Sequence, residues 1–134
     1  MLPGSGVDLK KFSLNYITSN NDEIINKTSP KKGFKFRLIS RLLVDKGIYE
    51  FIEAIKLLKN ENRQFSALIL GAIDGLNSSG IEKSELKNWI SQGLIIHHNF
   101  TDDVRPFIFN SDCVVLPSYR EGTPKSLLEG AAMG

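Results

Sequence analysis

Residues 34–60 read FKFRLISRLLVDKGIYEFIEAIKLLKN, and this stretch decides the fold. Its first part, Phe34 to Ser40, is a short apolar, β-branched and aromatic run, the composition of a strand. From about Gly47 to Asn60 the period changes. Ile48, Phe51, Ile52, Ile55 and Leu58 recur at helical spacing and form one apolar stripe, with Glu50, Glu53 and Lys56 off it. A strand, a short loop and an amphipathic helix make the first half of a βαβ unit.

The same alternation continues outward. A strand is expected over Phe65 to Gly71, then a polar loop, then a helix over Glu82 to Gln92 with Leu86, Trp89 and Ile90 as its apolar face. A third strand follows over Leu94 to Phe100, and Thr101-Asp102 supplies N-cap chemistry for a helix ending near Asn110. The fourth strand is Cys113 to Pro117. The last helix begins with Thr123 as N-cap and Pro124 at its first position. The polar stretch Thr18 to Lys32 reads as a loop or irregular crossover. Strands alternating with helices at this spacing predict a parallel sheet, and right-handed crossovers leave doubly wound topologies. Ligands in such folds collect outside the carboxyl ends of the strands, here segments 40–47, 71–80, 100–103 and 117–126.

Composition bounds the function. With 134 residues, 41% hydrophobic and 24% charged, the chain has the size and character of one domain with a real core. The formal net charge is +2, the basic residues are interspersed with acids, and Lys31–Lys32 is a short cluster suited to a solvated turn. That pattern argues against nucleic acid as a partner. The one cysteine, Cys113, lies in an apolar run and cannot build a disulfide framework or a Cys/His metal site, so an inert thiol in a reducing cytosol is expected. No apolar segment approaches bilayer-spanning length. Met1-Leu2-Pro3-Gly4 and Gly130-Ala131-Ala132-Met133-Gly134 both read as cuts within a longer chain.

Two segments carry the candidate chemistry. After the first strand, Arg41 and Lys46 stand just ahead of the strongest helix. Helix N-termini favour anions, a guanidinium grips two oxygens at once, and an ammonium acts as a point charge. The pair suits a diphosphate, but on charge alone two solvated loop cations are the better reading. After the fourth strand, PSYREGTPKSLLEG places Glu121 in a loop and Glu129 in the helix beyond it. Gly122 permits close approach of a ligand to the backbone, and the amides near Thr123–Ser126 form a second helix-start anion site. Glu129 lies among Leu127, Leu128, Ala131 and Ala132, which look core-facing. Its carboxylate is satisfied either by ligand hydroxyls or by Lys125 one turn earlier. His97 and His98 alternate along a strand, one toward the core, and bland roles fit them better than catalysis. Asp102-Asp103 reads as helix capping rather than a metal pair.

The stretches SRLLVDKGIYEFIEAIKLLK, LILGAIDG and FTDDVRPFIFNSDCVVLPSYREGTPKSLLEGAAMG resemble the C-terminal, donor-binding domain of glycosyltransferase family 4. The resemblance runs from Gly4-Ser5-Gly6-Val7-Asp8 to the end, and its most specific part is Glu121, seven residues, Glu129. It implies a Rossmann-like parallel sheet with helices on both faces, part of the C-terminal half of a retaining GT-B enzyme. Residues 1–33 would be an interdomain connection and loop, and 34–134 a βαβαβαβα core. It also implies that Arg41 and Lys46 hold the donor diphosphate and, with Glu121 near the anomeric carbon, serve catalysis. Glu129 would bind the ribose, and Gly122, Thr123, Pro124 and Lys125 would touch sugar or phosphate. No cofactor or metal is implied. The donor is a nucleotide diphospho-sugar, with UDP the first expectation and GDP the second. The acceptor would be a glycan or lipid-linked glycan in bacterial capsule, lipopolysaccharide or lipid-linked glycan synthesis, bound through an N-terminal domain. The setting would be cytoplasmic, peripheral at the inner face of the membrane. A sugar-nucleotide epimerase and a non-catalytic binding module are the alternatives. The sequence departs from the family pattern at Ser40 and Asn99, where glycine is usual.

Overall fold

A computed structural model of the chain describes residues 6–15 and 33–134. Lys31–Lys32, the Thr18 to Lys32 stretch and Met1 to Ser5 lie outside the described residues. The elements are β1 (Phe34–Ile39), a 3-10 turn (Val44–Lys46), α1 (Ile48–Asn60), β2 (Phe65–Leu70), α2 (Lys83–Ser91), β3 (Ile96–His98), α3 (Arg105–Phe109), β4 (Cys113–Val114) and α4 (Lys125–Met133).

All strand pairs are parallel and the sheet order is β3-β2-β1-β4. Phe34 to Ile39 lie opposite Phe65 to Leu70, and Phe36 and Arg37 lie opposite Cys113 and Val114. The chain winds from β1 through β2 to β3, then returns to lay β4 on the other side of β1. The winding therefore reverses between β1 and β4, where a crevice opens at the carboxyl ends. The expected α/β sheet has helices on both faces. Phe36 and Leu38 of β1 and Ala67 and Ile69 of β2 pack under α1 and α2 through Ile48, Phe51, Ile52, Ile55, Leu86 and Trp89. On the opposite face Ile39, Leu68 and Leu70 meet Phe107 of α3, and Ile108 and Met133 pack with Phe12 from the 6–15 segment.

The differences from the sequence expectations have local causes. β4 pairs only through Val114 within a predicted run to Pro117; Val115 N still donates to Arg37 O at 2.7 Å, and the chain then leaves the sheet toward α1. The predicted cap at Thr101-Asp102 does not start α3, which runs only from Arg105. Pro106 has no N–H to give a helix interior, so it must sit in the first turn. Upstream, Thr101 Oγ accepts from Asp103 N at 3.3 Å, and the Asp103 carboxylate is held by Arg105 through its backbone N at 3.1 Å and its guanidinium at 2.8 and 2.7 Å. A side-chain turn has replaced the first helical turn. Thr123 likewise does not cap α4: Pro124 is the N-cap residue and no side-chain cap bond forms.

One cation inside the sheet is not marked by the sequence. Arg37, only 1% exposed, faces the α3 side and donates to Phe36 O at 3.0 Å, Ser66 Oγ at 3.4 Å and Asn110 O at 3.3 Å. Burial lowers its pKa to about 10, with Asp112 acting in the opposite direction, so it remains charged at neutral pH.

Candidate functional site

The crevice at the reversal of winding is a cleft of about 880 Å³. Ser40, Arg41 and Lys46 line it from the β1 side, and Glu121, Thr123 to Ser126 and Glu129 line it from the β4 side. Phe100 to Asp102 close a third edge, and Gly6 to Asp8 with Lys11 and Phe12 a fourth.

The Arg41–Lys46 segment is held from both flanks. On one flank, residues 72–81 bond to it through bridges pairing Leu42 with Ile73 and Leu43 with Gly80. Val44 N donates to Ser79 O at 2.8 Å, and Ile81 N to Leu42 O at 3.0 Å. On the other flank the β4 loop closes down. Gly47 has φ 74, and a Cβ there would lie 2.0 Å from Pro117 O, so both its conformation and the close approach require glycine. Tyr119 N donates to Asp45 O at 2.9 Å, and the Tyr119 hydroxyl donates to the Glu50 carboxylate. Two residues further on, Lys46 Nζ donates to Glu121 Oε1 at 2.6 Å. The Lys46 ammonium holds the Glu121 carboxyl below its ordinary pKa, and the nearby Ser118 hydroxyl adds to the effect. No regular hydrogen bond satisfies that buried Ser118 hydroxyl among the described residues.

Arg41 lies at the open rim with its side chain 66% exposed, Nη1 3.9 Å from Asp74 Oδ2. Glu129 differs from both cations and from Glu121. It is 7% exposed, and desolvation raises its pKa, with Lys125 and Lys11 pulling the other way. The alternative of an exposed Glu129 paired to Lys125 is not what the fold makes. No such ion pair forms, and among the described residues the Glu129 carboxylate has no hydrogen-bond partner. The supposed core face of α4 is also corrected: Glu129 and Met133 are its buried residues, while Ala131 is exposed and Leu127, Leu128 and Ala132 are half-buried. A Cβ on Gly130 would lie 3.2 Å from the Val114 side chain, so this glycine lets α4 sit close over β4.

The cleft does not gather every residue singled out from the sequence. Gly122 lies off its lining, and a Cβ there would meet nothing within 4 Å. His97 Nε2 bonds Gly71 O at 2.8 Å, and His98 packs edge-on to Phe107 with ring centroids 4.8 Å apart; neither lines the cleft. Cys113 is a half-buried free thiol. Ser40 is accommodated: its hydroxyl donates to Arg41 O, and Gly71 supplies the close approach against its carbonyl. Asn99 Oδ1 accepts from Phe100 N at 2.9 Å, shaping the turn into the cleft. Among the described residues no group of three or more His, Cys, Asp or Glu converges as metal ligands do. Lys11 joins the lining without any sequence signal, and Asp74 and Tyr119, though in segments expected to flank a ligand, are not singled out by the sequence because their partners Arg41 and Glu50 are distant in the chain.

In chemical terms the cleft is lined by the cations Lys11, Arg41, Lys46 and Lys125, by the carboxylates Asp8, Asp102, Glu121 and Glu129, and by a helix start, with Glu121 in contact with Lys46 and Glu129 buried. That is an anion grip beside hydrogen-bond acceptors suited to hydroxyls. Comparison with known proteins gives the same direction. The chain is 31% identical over 131 residues to N,N'-diacetylbacillosaminyl-diphospho-undecaprenol alpha-1,3-N-acetylgalactosaminyltransferase of Campylobacter jejuni, covering 96% of this chain and 32% of that protein. The C-terminal domain of a glycosyl transferase group 1 family protein, LpcC, from Francisella tularensis matches with TM-score 0.69 and 28% identity. That match covers 95% of this chain and 66% of that one, the relation expected of part of a GT-B fold. Anabaena HepE, solved with UDP-glucose, matches in fold with TM-score 0.73 at 22% identity, covering 96% of this chain and 35% of that one. The chain spans a third or less of the length of the curated relatives it matches. The family model described as glycosyl transferases group 1 matches residues 20–134, most of the chain, and with the sheet and cleft above this makes the chain a member of that family.

Proposed function

We propose that this chain binds the donor for a retaining glycosyltransferase that uses a nucleotide diphospho-sugar. The observation that carries the reading is the convergence, in one cleft, of the Lys46–Glu121 pair and the buried, unpaired Glu129 carboxylate. Arg41 and Lys46 hold the diphosphate. Glu129 accepts hydrogen bonds from the ribose hydroxyls, which answer the partner requirement of a desolvated carboxylate. The amides at the start of α4, with Thr123, Pro124 and Lys125, reach the sugar or the phosphate, and Gly122 stays at the margin. When the bond from the anomeric carbon to the diphosphate oxygen breaks, the electron pair leaves with the diphosphate. The acceptor hydroxyl oxygen bonds the same carbon from the same face, and its proton is lost to the departing phosphate. Cations fixed beside the departing group stabilise charge where it develops, and Glu121, kept ionised by Lys46, stands ready beside the positive anomeric centre.

UDP-sugars are the preferred donors in this reading, with GDP-sugars second; HepE, similar in fold, binds UDP-glucose. The sugar is a hexose or N-acetylhexosamine, and the product belongs to bacterial capsule, lipopolysaccharide or lipid-linked glycan synthesis. The name of the Campylobacter relative, with its undecaprenol-linked acceptor, supports that class. The acceptor is bound by an N-terminal domain facing the cleft, so residues 1–134 alone hold donor without transferring sugar. The enzyme works in the cytoplasm, peripherally at the membrane; among the described residues no helix is long and apolar enough to cross it. A panel of UDP- and GDP-sugars titrated calorimetrically against the full protein tests the reading. Saturable binding of one nucleotide class is expected, and absence of binding by every nucleotide sugar overturns it.

A further inference from the structure

The loop that flanks Arg41 brings an anion to the cation. Asp74 Oδ2 lies 3.9 Å from Arg41 Nη1, with the two side chains 32% and 66% exposed respectively. The two partners differ in how firmly they are held. Asp74 belongs to the 72–81 loop, which is bonded to the Arg41–Lys46 segment by two bridges and closed on itself by Asn77 N to Asp74 O at 3.2 Å and Gly80 N to Asn77 O at 2.9 Å. A Cβ on Gly80 would lie 2.3 Å from Asp74 O, so the loop packs tightly at this residue. Arg41, in contrast, is a long side chain standing largely in solvent at the rim. A carboxylate on a firmly held backbone thus faces a reorientable guanidinium at the end of the cleft where a diphosphate is to be gripped.

Resting on the donor reading above, we propose that Asp74 is an affinity-setting residue, an electrostatic counterweight that occupies Arg41 in the empty cleft and weakens its hold on any nucleoside diphosphate. A guanidinium that grips phosphate oxygens in two bonds must turn away from Asp74 or share itself with it, and the carboxylate left behind repels the incoming anion. The pair is exposed, so the effect is modest and is screened by salt.

The test is the dissociation constant of UDP, with GDP in parallel, for the full protein and its variants at low ionic strength. Asp74→Asn is expected to bind about two- to fivefold more tightly, the gain disappearing at roughly 0.5 M salt. Asp74→Glu, which keeps the charge, is expected to show no gain. In an Arg41→Ala background the Asp74→Asn gain is expected to vanish. The proposal is overturned if the parent protein binds UDP or GDP and Asp74→Asn binds no more tightly. It is also overturned if the gain persists undiminished without Arg41. Failure of the parent protein to bind either nucleotide removes the donor reading itself, and this inference with it. A gain of affinity cannot arise from a variant that merely folds poorly.

Discussion

Strands β1 and β4 lie side by side, yet their two ends use charge in opposite ways. At the amino end the polar groups close on one another. Lys35 N donates to the Asp112 carboxylate at 2.8 Å, Lys35 Nζ to Asn110 Oδ1 at 3.1 Å, Asp112 N to Lys35 O at 2.9 Å, and Arg37 to Asn110 O at 3.3 Å. At the carboxyl end Arg41, Lys46, Glu121 and Glu129 face an open cleft, with one short ion pair, one long one and, among the described residues, a buried carboxylate without a partner. The lesson is that buried charge alone does not mark a site. Arg37 is more buried than Glu129, but its hydrogen bonds are made within the fold, whereas the Glu129 carboxylate makes none among the described residues.

The largest effect that separates the two ends is on stability. Arg37→Ala removes a buried side chain together with its hydrogen bonds to Phe36 O, Ser66 Oγ and Asn110 O, and should cost about 2–4 kcal/mol in urea unfolding. Nucleotide affinity of the folded fraction should stay within about twofold of the parent. Weakened nucleotide binding at unchanged stability would erase the distinction. Next in size, Glu129→Ala and Arg41→Ala should each weaken donor binding about ten- to a hundredfold, as expected for a lost charge-assisted contact. Both should leave unfolding nearly unchanged. Unaltered affinity in both variants would return the carboxyl end to a structural role.

The smallest and most discriminating effect is on pH. Burial raises the folded pKa of Glu129, whereas Lys46 lowers that of Glu121. As pH falls, Glu129 is therefore protonated first, and donor affinity should begin to decline at a higher pH than an unshifted carboxylate would give, while Glu121 remains ionised. The sign for stability is opposite for the two residues. The folded state holds the Glu129 proton more tightly than the unfolded chain, so that group costs stability as pH rises through its raised pKa. Glu121 contributes stability above its unfolded pKa and loses it as pH falls through the lowered one. Glu129→Gln should flatten the affinity profile and raise stability at neutral pH by on the order of 0.5 kcal/mol. A profile unchanged by that substitution would show that Glu129 does not meet the ligand.

Much of this was legible in the chain because its signals are local. The stripe from Ile48 to Leu58 declared α1, with Leu58 half-buried and the other four stripe residues buried. The alternation of strands and helices declared a parallel sheet, the carboxyl-end rule pointed to the loops holding Arg41, Lys46 and Glu121, and the spacing from Glu121 singled out Glu129 through the family resemblance. The short helices were less legible. For α3 the side chains of Thr101, Asp103 and Arg105 and the missing N–H of Pro106 outweighed the cap signal. For α4 the residues taken as core-facing were not the buried ones, because orientation depends on how close Gly130 lets the helix approach Val114.

By itself the sequence determined the order of elements, the amphipathic face of α1, the family resemblance and the place of Arg41, Lys46 and Glu121 in loops after strands. These depend on neighbours within a few turns of chain, where periodicity and turn chemistry act. Only the tertiary structure decided that Arg37 is enclosed, that Lys46 meets Glu121 across 75 residues, that Asp74 opposes Arg41, and that Glu129 is buried facing the cleft. Those facts are distances and solvent exposures, created when the winding reverses between β1 and β4 and two remote loops are packed together. Charge has its chemical meaning only once its partners and its water are fixed.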